Sequence, residues 1–129
     1  EKKMTPFGEK VREYRISKSI LLKDMARDLW VSSAYFSALE HGKRGRPGIG
    51  LVQQICGYLD LIWDDAEELK YLANLSHPKV TVDTSLLSSR ATYLANLLAE
   101  AIKGLDEQTI EWIIDEINVQ KTTLKGPRY

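Results

Sequence analysis

Between Leu22 and Gly42 the chain places two short apolar patterns of helical spacing almost end to end, and this limits what it can fold into. Leu22, Met25, Ala26 and Leu29 recur at three and four residues, as the buried stripe of a helix does. Trp30 and Val31 interrupt them. Ser32 then offers an N-cap, and Tyr35, Phe36 and Leu39 repeat the spacing until Gly42 stops it. Helices this short are marginal in water, because nucleation costs more than so few hydrogen bonds return. Each must bury its stripe against the other and against further helices. The pair fits two helices joined by a tight turn, a helix-turn-helix. Ala26 falls where they cross closely and a large side chain would not fit, and Val31 and Leu39 would plug the inner angle.

The flanking segments supply the further helices. Thr5-Pro6 is a helix start, Thr as N-cap and Pro at the first helical position, and Phe7, Val11, Tyr14 and Arg15 carry it to about Lys18. The helix from Leu22 has no good N-cap. Past Arg46-Pro47-Gly48, the residues Leu51, Val52, Ile55, Cys56 and Leu59 mark a fourth helix. Asp64 and Glu67 have the spacing of a capping box for a fifth, with Ala66, Leu69, Leu72 and Ala73 on its apolar face. His77-Pro78 ends the run, and residues 79–83 alternate polar and apolar, as a linker or a short strand without a partner would. Ser88 caps a sixth helix, striped by Ala91, Leu94, Ala95, Leu98, Ala101 and Ile102 up to Gly104. Asp106 opens a seventh, striped by Ile110, Ile113, Ile114 and Ile117.

The expected class is all-α: a five-helix domain over 5–75, a linker or short strand over 76–87, and a helical hairpin over 88–121. Two helices alone cannot close a core. The stripes of the hairpin are therefore expected to meet those of a second copy in a four-helix arrangement, through Leu94, Leu98, Ile102, Ile110, Ile113, Ile114 and Ile117. The alternative is a seven-helix monomer in which they pack on the first five helices.

A net charge of zero hides an uneven distribution. Residues 1–48 hold 11 Lys/Arg and 6 Asp/Glu, a balance of +5, whereas residues 49–75 hold 1 and 5, a balance of −4. An anionic partner would dock on the front third. No apolar run approaches the roughly 18 residues of a membrane span, so no membrane partner and a cytoplasmic location are expected. Cys56, the single cysteine, cannot form an intramolecular disulfide and reads as a small core residue. The two histidines, His41 and His77, have no cysteine or carboxylate at metal-ligand spacing, and His41 at a helix end suits carbonyl capping or a phosphate. Asp64, Asp65, Glu67 and Glu68 read as complements to a helix dipole rather than acid-base chemistry. The tryptophans Trp30, Trp63 and Trp112 read as core or interface residues. Neither a catalytic site nor a cofactor or metal is expected, and the protein does not read as an enzyme.

On the third helix the outward positions are Ser33, Ala34, Ser37 and Ala38, all small and uncharged. A solvated helix face usually carries Lys, Glu or Gln. A slim face can enter a DNA major groove, where hydroxyls reach base edges and methyls meet thymine. Residues 7–60 resemble the Cro/CI-type (XRE) helix-turn-helix regulators. The resemblance rests on Phe7 to Arg15, Lys23 to Leu29, Val31-Ser32, and above all Ser37-Ala38-Leu39-Glu40-His41-Gly42-Lys43-Arg44, similar to that family's S-x-[IL]-E-x-G-[KR] signature. Tyr35 to Gly42 and Leu61-Ile62-Trp63-Asp64 also resemble small alphaproteobacterial members.

The resemblance implies a lambda-repressor-like domain that binds double-stranded operator DNA as a homodimer. Ser33, Ala34, Tyr35, Ser37 and Ala38 would then read bases; Lys23, Ser32, Lys43, Arg44 and Arg46 would hold phosphates; Arg15 and Glu40 would form a buried ion pair. Three positions depart from the family pattern. Ser33 replaces the usual glutamine and with it a bidentate adenine contact. Leu21 and Leu22 replace polar residues that bond phosphate. Trp30 replaces a turn glycine, where a positive φ costs a bulky residue about 1–2 kcal/mol. The same scaffold serves antitoxins, so a second expectation is a protein-interaction module that engages a partner through residues 76–129.

Overall fold

A computed structural model describes residues 3–43 and 45–125 of the chain. Among the described residues the fold is all-helical: α1 (Pro6–Ser17), α2 (Leu22–Asp28), α3 (Ser33–Glu40), α4 (Ile49–Tyr58), α5 (Trp63–Asn74), α6 (Ser89–Ala101) and α7 (Glu107–Lys125), with a 3-10 turn at Ile102–Gly104. No strand forms at residues 79–83, which connect the helices without regular secondary structure. The chain divides into two compact units, Glu1–Val80 and Thr81–Tyr129.

In the first unit the stripes read from the sequence meet in one core. Phe7 and Val11 of α1, Met25 and Ala26 of α2, Phe36 and Leu39 of α3, Val52, Ile55 and Cys56 of α4, and Leu69 and Ala73 of α5 are all buried. α1 packs on α3 and α5, α2 on α3, and α4 on α5. The approach of α1 to α3 is close enough to exclude any side chain at Gly8. A Cβ there would lie 2.0 Å from the Glu40 carbonyl oxygen. That oxygen accepts both the Thr5 N–H at 3.1 Å and the Thr5 hydroxyl at 3.2 Å, so the start of α1 satisfies the end of α3.

Four helices in succession end in the same way. After α1, α2, α3 and α4 one residue turns left-handed: Ser19 (φ 57), Trp30 (φ 63), Gly42 (φ 78) and Asp60 (φ 58). The next N–H reaches back to close a Schellman motif: Ile20 to the Arg15 carbonyl, Val31 to Ala26, Lys43 to Ala38 and Leu61 to Cys56. Three of these closing residues, Ile20, Val31 and Leu61, pack against the core and fold the chain back on itself. The fourth, Lys43, is exposed, so after α3 the chain turns outward.

Two sequence expectations require correction. α5 begins at Trp63 behind Ile62, and no side chain caps it, so Asp64 and Glu67 do not form a capping box. Asp64 and Asp65 lie in the first turn, where they face the positive end of the helix dipole. Nor do the tryptophans fill the core: Trp30, Trp63 and Trp112 are all exposed.

The second unit starts as expected, with Ser88 Oγ accepting the Ala91 N–H and Asp106 Oδ1 accepting the Thr109 N–H. It buries no residue of α6. Leu98, Ile110 and Ile113 are half-buried, while Leu94, Ile102, Ile114 and Ile117 are exposed, Leu94 by 62% and Ile117 by 53%.

Candidate nucleic-acid interface

α3 carries the candidate reading face, and its position follows from its two ends. Ser32 Oγ accepts the Tyr35 N–H at 3.0 Å and fixes the N-terminus. Phe36 and Leu39 anchor one side of the helix in the core, which turns Ser33 and Ala34 out to solvent. Tyr35 is half-buried against the core, and Ser37 and Ala38 are also half-buried rather than fully outward. The slim face is therefore widest open at the N-terminal turn of α3, and narrows along the helix.

The chain on either side of α3 carries exposed cations. Lys23 is exposed in the first turn of α2. Lys43 and Arg46 are exposed beyond α3, while Arg44 lies outside the described residues. Lys43 owes its place to the Schellman turn, which leaves Gly42 at positive φ with its missing Cβ only 2.7 Å from Thr5 Cγ2. A hollow of about 410 Å3 runs past the end of α3, lined by Lys3, Ser37, His41 and Lys43. His41 Nδ1 donates to the Ser37 carbonyl at 2.8 Å, and its Nε2 is buried without a partner. Lys3 escaped the sequence reading because it precedes the first helix; only the basic character of the N-terminal segment pointed to it.

Arg15 and Glu40 lie behind this surface. Arg15 Nε stands 3.4 Å from Glu40 Oε2, and Arg15 Nη2 stands 3.5 Å from Oε1. Both residues are buried. These contacts are long for a charge-assisted pair. Burial accordingly outweighs the pull of Arg15 and pushes the Glu40 carboxyl above the usual carboxylate range. Arg15 Nη1 also reaches the Ile20 carbonyl, so one guanidinium joins α1, the turn after it and α3.

The arrangement offers an exposed, hydroxyl-bearing helix start at Ser33, with exposed cations in the adjoining elements. Among the described residues no group of three or more His, Cys, Asp or Glu side chains could hold a metal ion, and no helix is long and apolar enough to cross a membrane. No known family model matches the chain, and no solved structure does. Over 62 residues the chain is 31% identical to RghRB of Bacillus subtilis (strain 168), an uncharacterized HTH-type transcriptional regulator. The match covers 48% of this chain and 45% of that protein, so the chain spans about half of the relative's length. Over that stretch, the chain is similar to a helix-turn-helix regulator.

Proposed function

We propose that the protein is a sequence-specific regulator of transcription that binds double-stranded DNA as a homodimer, with α3 in the major groove, and is not an enzyme. The observation that carries this reading is the presentation of α3: Ser33 and Ala34 stand exposed at its first turn, and exposed cations lie in the elements joined to it, Lys23 in α2 and Lys43 and Arg46 in the loop after α3. Ser33 and Ala34 read base edges and methyls, with Tyr35, Ser37 and Ala38 contributing from half-buried positions. Lys23, Ser32, Lys43, Arg44 and Arg46 hold phosphates, and Arg15 with Glu40 keeps α3 at its angle to α1. With so few hydroxyls and methyls for direct readout, DNA deformability carries part of the sequence preference.

Lys43→Glu combined with Arg46→Glu tests the reading in a gel shift at several salt concentrations. Loss of two phosphate contacts in each subunit, four in the dimer, lowers the slope of log affinity against log salt by about 4 units. Unchanged affinity and slope on every duplex would sink the assignment. The exposed apolar residues of the second unit favour a second reading, an antitoxin-like module in which α6 and α7 engage a foreign protein. Molecular mass in solution separates the two: a monomer at micromolar concentration counts for the second.

A further inference from the structure

Past α5, Ser76 ties the chain to α1 and the next two residues, His77 and Pro78, lie against the loop that follows α3, a placement absent from the apolar pattern of the sequence. Ser76 is buried; its Oγ accepts the Phe7 N–H at 2.9 Å and donates to the Leu72 carbonyl. Pro78 lies over Gly42, where an added Cβ would stand 3.9 Å from Pro78 Cγ. His77 lies over Gly45, its Nε2 being 3.4 Å from the position of an added Cβ. Gly45 itself has φ +74, so both the backbone and the histidine ring favour glycine there.

The hydrogen bonding of His77 fixes which nitrogen can donate. Its Nδ1 accepts the Lys79 N–H at 3.1 Å. An imidazole that accepts at Nδ1 carries its proton on Nε2. That N–H is therefore presented at Gly45, in the loop that carries the exposed Lys43 and Arg46, on a residue that is itself exposed.

We propose that His77 is a further ligand of the DNA backbone, donating its Nε2–H to a phosphate oxygen held by Lys43 and Arg46, while Ser76 and Pro78 fix the ring on the loop. The proposal rests on the DNA-binding reading above. A neutral donor adds a hydrogen bond but releases no counterion. Its removal lowers affinity for every sequence alike and leaves the salt slope unchanged, which separates it from Lys43.

The test is fluorescence anisotropy with a labelled random-sequence duplex at about pH 8. His77→Ala and His77→Asn lose about five- to tenfold in affinity, the worth of one hydrogen bond to a charged acceptor at a wet interface. Asn keeps the acceptor for Lys79 but falls short of the phosphate. His77→Gln, whose amide reaches the Nε2 position, stays within about twofold of the parent. All three keep the parental salt slope and urea midpoint, while Lys43→Glu weakens binding and flattens the slope. Parental affinity in His77→Ala alongside a weakened Lys43→Glu overturns the proposal. Equal losses in Ala and Gln, or a fall in the urea midpoint that matches the loss, also overturn it by making the residue structural. A parent that binds no duplex, or a Lys43→Glu variant indistinguishable from it, removes the DNA-binding reading and this proposal with it.

Discussion

Trp30 occupies a position that glycine would fill at lower cost. Its φ is 63° and its ring is 94% exposed, so the strained backbone is not offset by packing within the chain. Glycine relieves about 1–2 kcal/mol of left-handed strain and gives back about 0.5–1 kcal/mol in unfolded-state entropy. Trp30→Gly is therefore expected to stabilise the protein by about 1 kcal/mol, read as a higher urea midpoint at unchanged slope. A loss of stability instead would mean that the ring has a contact in solution, such as a second copy. Arg15 and Glu40 present the opposite case, a buried pair whose geometry is loose. Arg15→Met or Glu40→Leu alone costs about 3–5 kcal/mol, because each strands a buried charge, whereas the double variant costs much less than the sum. Glu40 also gives a signed pH effect. Its folded pKa lies above the ordinary 4.5, so the stability it contributes is fully present below 4.5 and is lost as pH rises through the folded value. The stability of the parent relative to Glu40→Gln is expected to rise as pH falls across that window in urea titrations. A flat difference would place the carboxyl in the ordinary range.

At the level of helices, the recurrent Schellman ending organises the first unit, and only part of it was legible. Gly42 was readable as a stop because glycine is the usual left-handed residue, and Trp30 because the resemblance puts glycine there. Ser19 and Asp60 adopt the same conformation without any such mark. The core stripes of α1 to α5 were legible because their spacing survives in any packing that buries them. The start of α5 was not. Several acidic residues near a helix start suit a cap equally well, and Trp63, itself left-handed at φ 52, takes the first place instead. Within the candidate site, the order Ser32-Ser33-Ala34 and the cations after Gly42 could be read directly. The half-burial of Ser37 and Ala38 could not, since it depends on neighbours distant in sequence, such as Lys3, which shares the hollow with Ser37. The seating of α1 on α3 was equally hidden, although it makes Gly8 hard to replace. In Gly8→Ala the new methyl meets a carbonyl oxygen that two bonds from Thr5 hold in place, so the helices must move apart. The expected cost is about 3 kcal/mol, at the upper end for overpacking, and is measurable by urea denaturation. A cost near zero would show that α1 slides freely over α3.

The whole molecule joins a unit that closes its own core to one that does not. The first unit buries apolar residues from all five of its helices, whereas no residue of α6 is buried. A pair of helices with this exposure is not stable by itself and needs a further surface to cover its stripes. A second copy is the economical cover, because one patch then meets itself about a two-fold axis. In the proposed homodimer two copies of α3 are available for two half-sites, which links dimerisation to recognition. Leu94 and Ile117 are the positions at which to break it: both are exposed, so a charge there disturbs the covering surface before it disturbs the unit. Leu94→Asp with Ile117→Asp is expected to give monomers in sedimentation equilibrium while the first unit unfolds at its parental midpoint. The monomer retains non-specific DNA binding, which needs only the phosphate contacts of one first unit, and loses affinity for a two-half-site operator by at least about a hundredfold, as the second contact is no longer held at high local concentration. Dimers that persist in the double variant would place the interface elsewhere. Monomers with undiminished operator affinity would break the link between dimerisation and recognition.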